Sequence, residues 1–450
     1  MTHAVATLLN ARWIVPVEPE GLVLEHHALA MDGGRILAIL PQAEAATRYT
    51  AAMTLDLDRH VLMPGLINAH THASMTLLRG LADDLPLMNW LQDHIWPAEA
   101  RWVDPEFVRD GTQLAVAELL RGGTTCFNDM YFFPDATATV AREAGIRACV
   151  GLIALDFPTA YARSLDEYLA KGLALHETLR SEPLLHTALA PHATYTVSTP
   201  ALERMGRLAA DLNLPVHIHV HETAAEVADF QERHGCRPLQ RLEEIGLLSP
   251  RLLAVHMTQL EPGEIERLAQ VGAHVAHCPE SNLKLASGFC PVARLDAAGV
   301  NIALGTDGAA SNNDLDLFGE LRTAALLGKG IAGDASVLPA ARILRMATLN
   351  GARALGLAHE TGSLEPGKSA DVIAVDLGEP ETEPVYHPLS QLVYAVSRRQ
   401  VSDVWVAGQR LLPGRPAGRR RGQHCAGHRR RRQQQRSRPV RRTANRRTAR

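Results

Sequence analysis

The chain of 450 residues is poor in lysine: only Lys171, Lys284, Lys329 and Lys368 occur. None of them ends an apolar, strand-like run, which removes every candidate for a carbamylated lysine bridging two metal ions. The six cysteines, Cys126, Cys149, Cys236, Cys278, Cys290 and Cys425, show no CxxC spacing. They read as reduced thiols of a cytosolic protein rather than as a disulfide framework. No uninterrupted apolar run is long enough to span a bilayer. The opening stretch MTHAVATLLNARWIVPVEPE has neither the basic start nor the small-residue cleavage site of a signal peptide. Neither GxGxxG nor GxxxxGK[ST] occurs, so no nucleotide-phosphate loop is expected, and Gly328-Lys329-Gly330 reads as a plain turn. Acidic residues are missing altogether from 415–450, where 15 arginines stand; against a net charge of -3 for the whole chain, residues 1–414 therefore carry -18. So acidic a body argues against a nucleic-acid surface on it. The arginine-rich tail, 415–450, reads as disordered. Its abrupt change of composition fits a non-native terminus, such as a shifted reading frame, better than a nucleic-acid arm.

What is present is organised in three parts. Residues 1–60 hold short β-like runs, Ala4–Val15, Ala28–Met31 and Arg35–Leu40, with a hairpin signal at Asp32-Gly33-Gly34. From 61 to 360, short apolar strands alternate with longer amphipathic segments. The strands are expected at Leu62–Ile67, Thr124–Asp129, Ala148–Ala154, Leu185–Ala190, Val216–Val220, Leu252–Val255, Ala273–Ala276 and Asn301–Gly305. Helical patterns intervene, as at Phe107–Arg121, Pro200–Leu212, Ala224–His234 and Pro262–Val271. Eight strand–helix alternations over ~300 residues fit an α/β fold of the (β/α)8 barrel type rather than an open doubly wound sheet. After the barrel, Gly362–Leu377 and Val401–Leu412 again read as β. Residues 1–60 and 361–414 together are expected to form one small β-sandwich domain built from both chain ends, flanking the barrel of 61–360.

The stretch PGLINAHTHASMTLLRG, Pro64–Gly80, carries the first chemical signal. Side chains two apart on a strand share a face, so His70 and His72 can point into one small volume. Alone, His-x-His is weak. The other strand ends strengthen it: Asp129, His192, the group His217, His219, His221 and Glu222, then His256, His277 and Asp307. Barrel enzymes collect their functional groups at this rim, and seven of the eight predicted strands deliver a histidine or aspartate to it. Imidazoles plus one carboxylate, with room for water, describe a catalytic zinc site; iron or manganese are the alternatives. Spacing does not choose among His217, His219 and His221, which share one strand face.

Several longer stretches add a resemblance. PGLINAHTHASMTLLRG, LMNWLQDHIWPAE, GGTTCFNDMY, APHATYTVS, HIHVHET, HCPESNLKLASG, GTDGAASNNDLDLF and GSLEPGKSADVIAVD occur in that order. Over roughly residues 1–412 the chain resembles the amidohydrolase superfamily, in particular its aminopurine deaminase branch, which includes 5′-methylthioadenosine/S-adenosylhomocysteine deaminases. The resemblance implies one divalent metal, zinc first, held by His70, His72, His219 and Asp307. It selects His219 through the glutamate three residues on, Glu222. It implies that Asp307 and His256 orient the attacking water, and that Glu222 relays a proton to purine N1 and then to the leaving amine. Substrate contacts follow at His192 beside the heterocycle, Trp90 and Glu99 over the nucleoside and ribose, and Arg163 at the carboxylate of S-adenosylhomocysteine. A second family arginine falls at Leu152, which tilts the expected substrate towards methylthioadenosine or adenosine. Glu280 stands where the family has a small residue, and the arginine tail replaces a C-terminal helix.

The implied function is hydrolytic deamination of an adenine nucleoside in the cytoplasm, with a small molecule as partner, no membrane or nucleic acid, and homo-oligomerisation left open. An s-triazine or other heteroaryl hydrolase shares all four ligands and is the rival. The ribose-binding match at Glu99 speaks against it.

Overall fold

Strand-forming runs at both ends of the chain bracket a longer alternating pattern, and the computed structural model, which describes residues 2–414, turns these into two sheets. In chain order the strands are β1 (His3–Ile14), β2 (Leu24–Asp32), β3 (Arg35–Pro41), β4 (Tyr49–Pro64), β5 (Leu66–Thr71), β6 (Thr124–Asp129), β7 (Arg147–Ala154), β8 (Leu185–Pro191), β9 (Val216–Val220), β10 (Leu252–His256), β11 (His274–His277), β12 (Asn301–Leu304), β13 (Val372–Asp376), β14 (Val401–Val406) and β15 (Gln409–Leu412). Strands β5 to β12 lie side by side in sequence order and pair in parallel, as βα repeats with right-handed crossovers require. The remaining seven form one mixed sheet in the order β15-β14-β13-β4-β1-β2-β3, so both chain ends do build a separate sheet. Leu9, Leu29, Ile36 and Leu57 from the first part of the chain share a buried cluster with Leu364, Val372 and Trp405 from the last part. The arginine-rich stretch 415–450 lies outside the described residues.

The run Leu62–Ile67, expected as one strand, is divided between the two sheets. Val61–Pro64 ends β4 and pairs with β13, whereas Leu66 opens the barrel. Gly65 makes the transfer: a Cβ there would sit 2.0 Å from Thr125 Oγ1 on β6. Gly328-Lys329-Gly330 is not a turn but lies within the helix Leu317–Ala332. There Lys329 Nζ donates to the Leu338 carbonyl at 3.1 Å, tying the helix end to the next loop. Sequence proximity of two glycines suggested a break that tertiary packing overrides.

The barrel meets itself where β12 approaches β5. Thr306 N donates to Asn68 Oδ1 at 3.1 Å, Asn68 Nδ2 donates to Thr306 Oγ1 at 2.7 Å, and Asp307 N donates to the His70 carbonyl at 3.0 Å. A Cβ at Gly305 would lie 2.8 Å from the His70 nitrogen, so only glycine permits this approach. The seam therefore carries His70 and Asp307 to the same place. On the other sheet's side, buried Arg147 at the start of β7 donates to Asp371 Oδ2 at 3.0 Å, Glu360 Oε2 at 2.8 Å and Ser369 Oγ at 3.0 Å.

Candidate metal centre

Strand alternation places the first donors. Along β9, Val216, Ile218 and Val220 join the apolar cluster that includes the surrounding helices, leaving His217 and His219 to point inwards. His70 lies near the end of β5, and His72 follows immediately, leading into the short helix Ala73–Leu78. Asp129 ends β6 and serves this turn: its Oδ1 accepts from Ala73 N at 2.8 Å and its Oδ2 from Thr137 Oγ1 at 3.1 Å. At the ends of β10 and β12 the chain turns sharply, with φ of 76° at His256 and 62° at Asp307. Such left-handed positions are costly for non-glycine residues and mark strand ends re-aimed for a purpose.

His70, His72, His219 and Asp307 converge so that one donor atom from each lies within 4.8 Å of the others. Asp307 Oδ1 is 3.1 Å from His70 Nε2 and 3.2 Å from His72 Nε2, and His219 Nε2 is 3.2 Å from His70 Nε2. The opposite ring nitrogens are anchored. His72 Nδ1 donates to the Met130 carbonyl at 2.5 Å, His219 Nδ1 to the His192 carbonyl at 2.7 Å, and His70 Nδ1 lies 2.8 Å from His217 Nε2. A carbonyl can only accept, so the Nδ1 of His72 and of His219 carries its proton and Nε2 is the nitrogen that faces the centre. Asp307 Oδ2 accepts from Ser281 Oγ at 2.7 Å and Ser311 Oγ at 2.8 Å, which turns Oδ1 inwards.

The donor set fits a divalent cation. Burial opposes ionisation of Asp307, yet its bonds to His70 and His72 hold the carboxyl well below the usual carboxylate range. Burial likewise lowers His72, but the Asp307 carboxylate overcomes it and holds the ring up at about 9. His70 meets Asp307 too, yet it is pushed down to about 4, chiefly by burial, with His72 and His256 adding to the fall. Three crowded imidazoles and one persistent carboxylate make a field that a cation satisfies.

A cavity of about 660 Å³ opens above this cluster and is lined by His72, His219 and Asp307 together with Glu222 and His256. His256 Nδ1 meets Asn282 Oδ1 at 2.9 Å, and its Nε2 is 3.8 Å from Glu222 Oε2. Burial pushes the Glu222 carboxyl up; nearby His256 opposes this and Asp307 reinforces it. Trp90, Glu99 and His192 also line the cavity. The Trp90 indole Nε1 is buried without a protein partner. Glu99 Oε1 accepts from the Tyr131 hydroxyl at 2.7 Å, and burial pushes its carboxyl up to about 7. Arg163 is the exception among the expected contacts. It does not line the cavity, and its backbone N–H donates to Glu167 Oε2 at 2.9 Å at the start of the helix Leu165–Leu179. Leu152 is buried within β7 and is not part of the lining either. Glu280 is accommodated away from the donors, where its Oε1 accepts from Thr323 Oγ1 at 2.8 Å.

Sequence reading missed Tyr131 and Tyr195, both in the lining, and the serines on Asp307. Tyr131 stands two residues past Asp129, so the strand-end rule extended by one turn would have found it. His217 and His221 separate clearly: His217 supports His70, whereas His221 Nε2 accepts from Leu239 N at 3.2 Å.

The sequence profile of the Amidohydrolase family matches residues 61–411. A 5-methylthioadenosine/S-adenosylhomocysteine deaminase of Teredinibacter turnerae is 53% identical over 407 residues, covering 90% of this chain and 92% of the relative. The crystal structure of an adenosine deaminase from Xanthomonas campestris with bound zinc is 56% identical, with a TM-score of 0.91, covering 92% of this chain and 94% of that one. An atrazine chlorohydrolase from Arthrobacter aurescens, complexed with zinc, is 25% identical with a TM-score of 0.85, covering 91% and 96%.

Proposed function

The chain belongs to the amidohydrolase family, and from that premise we propose that it is a metal-dependent deaminase converting 5′-methylthioadenosine to its 6-oxo product and ammonia. The observation that carries this reading is the placement of the buried Glu222 carboxyl and His256 beside the His70, His72, His219 and Asp307 cluster, at the floor of a mainly apolar cavity. A divalent ion bound by those four side chains supplies Lewis acidity and lowers the pKa of water towards neutrality.

The chain's own residues do the proton work. Asn282 Oδ1 holds His256 as the Nδ1–H tautomer, so His256 Nε2 can accept a hydrogen bond and orient the attacking water. Glu222 takes a proton from that water and gives it to purine N1, which makes C6 electrophilic. The water oxygen adds to C6. Glu222 then carries the second proton to the exocyclic nitrogen, which leaves as ammonia while oxygen stays on C6. A carboxyl pushed up by burial suits both halves of this exchange. Tyr131 occupies one Glu99 oxygen and leaves the other to accept from a ribose hydroxyl. Trp90 Nε1 offers a donor, and His192 stands where the heterocycle would lie.

The far wall supports the thioether. Leu87, Leu91, Ile95, Phe157 and Leu285 line the cavity, and among the described residues no lysine or arginine does. A methylthio group loses little water on entering such a site, whereas the carboxylate of S-adenosylhomocysteine finds no countercharge. The triazine reading is disfavoured by the Glu99–Tyr131 pair, which has no ribose to serve there. Five cysteines are free and buried, a further reason to place the protein in the reducing cytoplasm.

The test is loss of adenine absorbance with zinc-loaded protein offered methylthioadenosine, S-adenosylhomocysteine, adenosine and a chloro-triazine in parallel. Methylthioadenosine turnover with stoichiometric ammonia is expected, with kcat/KM for S-adenosylhomocysteine lower by about tenfold or more. Turnover of the triazine alone would overturn the assignment.

A further inference from the structure

A second large cavity, of about 740 Å³, is lined by none of the residues that line the catalytic one. It is walled by the starts of barrel strands and the β2–β3 hairpin turn at Gly33-Gly34. Five arginines line it against two glutamates. That balance is the reverse of the molecule as a whole, since residues 1–414 carry -18 once the 15 tail arginines are set apart from a total of -3.

Carboxylates meet two of the five arginines and leave three without one among the described residues. Glu360 accepts from Arg147 at 2.8 Å, which also binds Asp371, and Glu182 lies 3.6 Å from Arg142. Arg180 pairs with Glu177 at 3.1 Å. Arg35, Arg251 and Arg353 have no carboxylate partner among the described residues; Arg35 donates only to the Gly367 carbonyl, at 2.8 Å. Arg251 Nε and His186 Nε2 are buried without hydrogen-bond partners among the described residues. Arg35 and Arg353 are exposed and Arg251 is half-buried, so their forked donors, lining one cavity, are open to an oxyanion from solvent. One monovalent anion would leave two of the three unpaired.

We propose that this cavity is a second binding site, for a compact, multiply charged phosphate-type anion held by Arg35, Arg251 and Arg353. It is separate from the deaminase reading and stands or falls independently of it.

Inorganic pyrophosphate is the probe, applied to the full zinc-loaded chain. Phenylglyoxal labelling read peptide by peptide distinguishes the cavity arginines from those of the tail. At ten times its dissociation constant pyrophosphate should slow labelling of Arg251 and Arg353 by about tenfold and leave exposed Arg101 unaffected. Calorimetry should show one saturable site that the R251A/R353A double variant lacks, while that variant still deaminates its substrate. Should the double variant fail to fold, R353A alone should weaken protection at Arg251. Equal labelling with and without pyrophosphate, protection of Arg101 to the same degree, or an unchanged isotherm in the variant would each overturn the proposal.

Discussion

His217 Nε2 lies 2.8 Å from His70 Nδ1, so one fully buried histidine holds another by the ring nitrogen that faces away from the donor cluster. His217 is in turn 3.1 Å from Asn128 through its own Nδ1. Replacing His217 by phenylalanine keeps the volume and removes the hydrogen-bond partner of His70 Nδ1. Metal affinity should then fall by about 10- to 100-fold, measured by competition with a chromogenic chelator. H217Q, which restores a polar partner for His70, should recover part of it. Undiminished affinity in H217F would show that His70 needs no such support.

Glu222 is assigned to proton transfer and not to metal binding. The E222Q variant should keep its zinc, by metal analysis, and lose about 100- to 10,000-fold in kcat. A variant that turned over normally would remove Glu222 from the mechanism; one that lost its zinc would make it a ligand or a ligand's support.

The Glu99 carboxyl, pushed up to about 7 by burial despite the Tyr131 hydrogen bond, changes charge within the working range. Below that value it is protonated and spends one oxygen as a donor; above it, the carboxylate accepts from ribose hydroxyls. KM for methylthioadenosine should therefore fall as pH rises from 6 to 8. E99Q should raise KM by about tenfold or more and flatten the trend. A KM that keeps its pH dependence in E99Q would assign the titration elsewhere.

Arg147 and Asp371 are both buried, 3.0 Å apart, and tie a barrel strand to the segment entering β13. D371N leaves the guanidinium with a neutral neighbour on that side. It should cost about 3 kcal/mol of stability, read as a lowered Tm, with kcat at low temperature little changed. An unaltered Tm would mean that Glu360 and Ser369 suffice.

Much of this protein is legible in one dimension. The strands Thr124–Asp129 and Val216–Val220 and the helices Ala224–His234 and Pro262–Val271 fall where periodicity places them. Local rules suffice there because each element buries one apolar face against its sequence neighbours. The part of β4 before Leu62 escaped notice, since its first half, exposed and half-exposed, shows little apolar alternation and is held by pairing with β1.

The sequence by itself determined the repeat of strand and helix, and with it the delivery of histidines and acids to strand ends. It could not rank His217, His219 and His221, because a period of two puts all three on one face. Depth in the barrel ranks them: His217 sits under His70, His219 reaches the cluster, and His221, turned by a φ of 53°, faces the helix Pro238–Glu244. Nor could it join His70 to Asp307 across 237 positions, or leave Arg163 outside the cavity. Those outcomes depend on the meeting of β5 and β12 and on how the loops settle over the barrel, and such contacts between distant segments leave no local period in the chain.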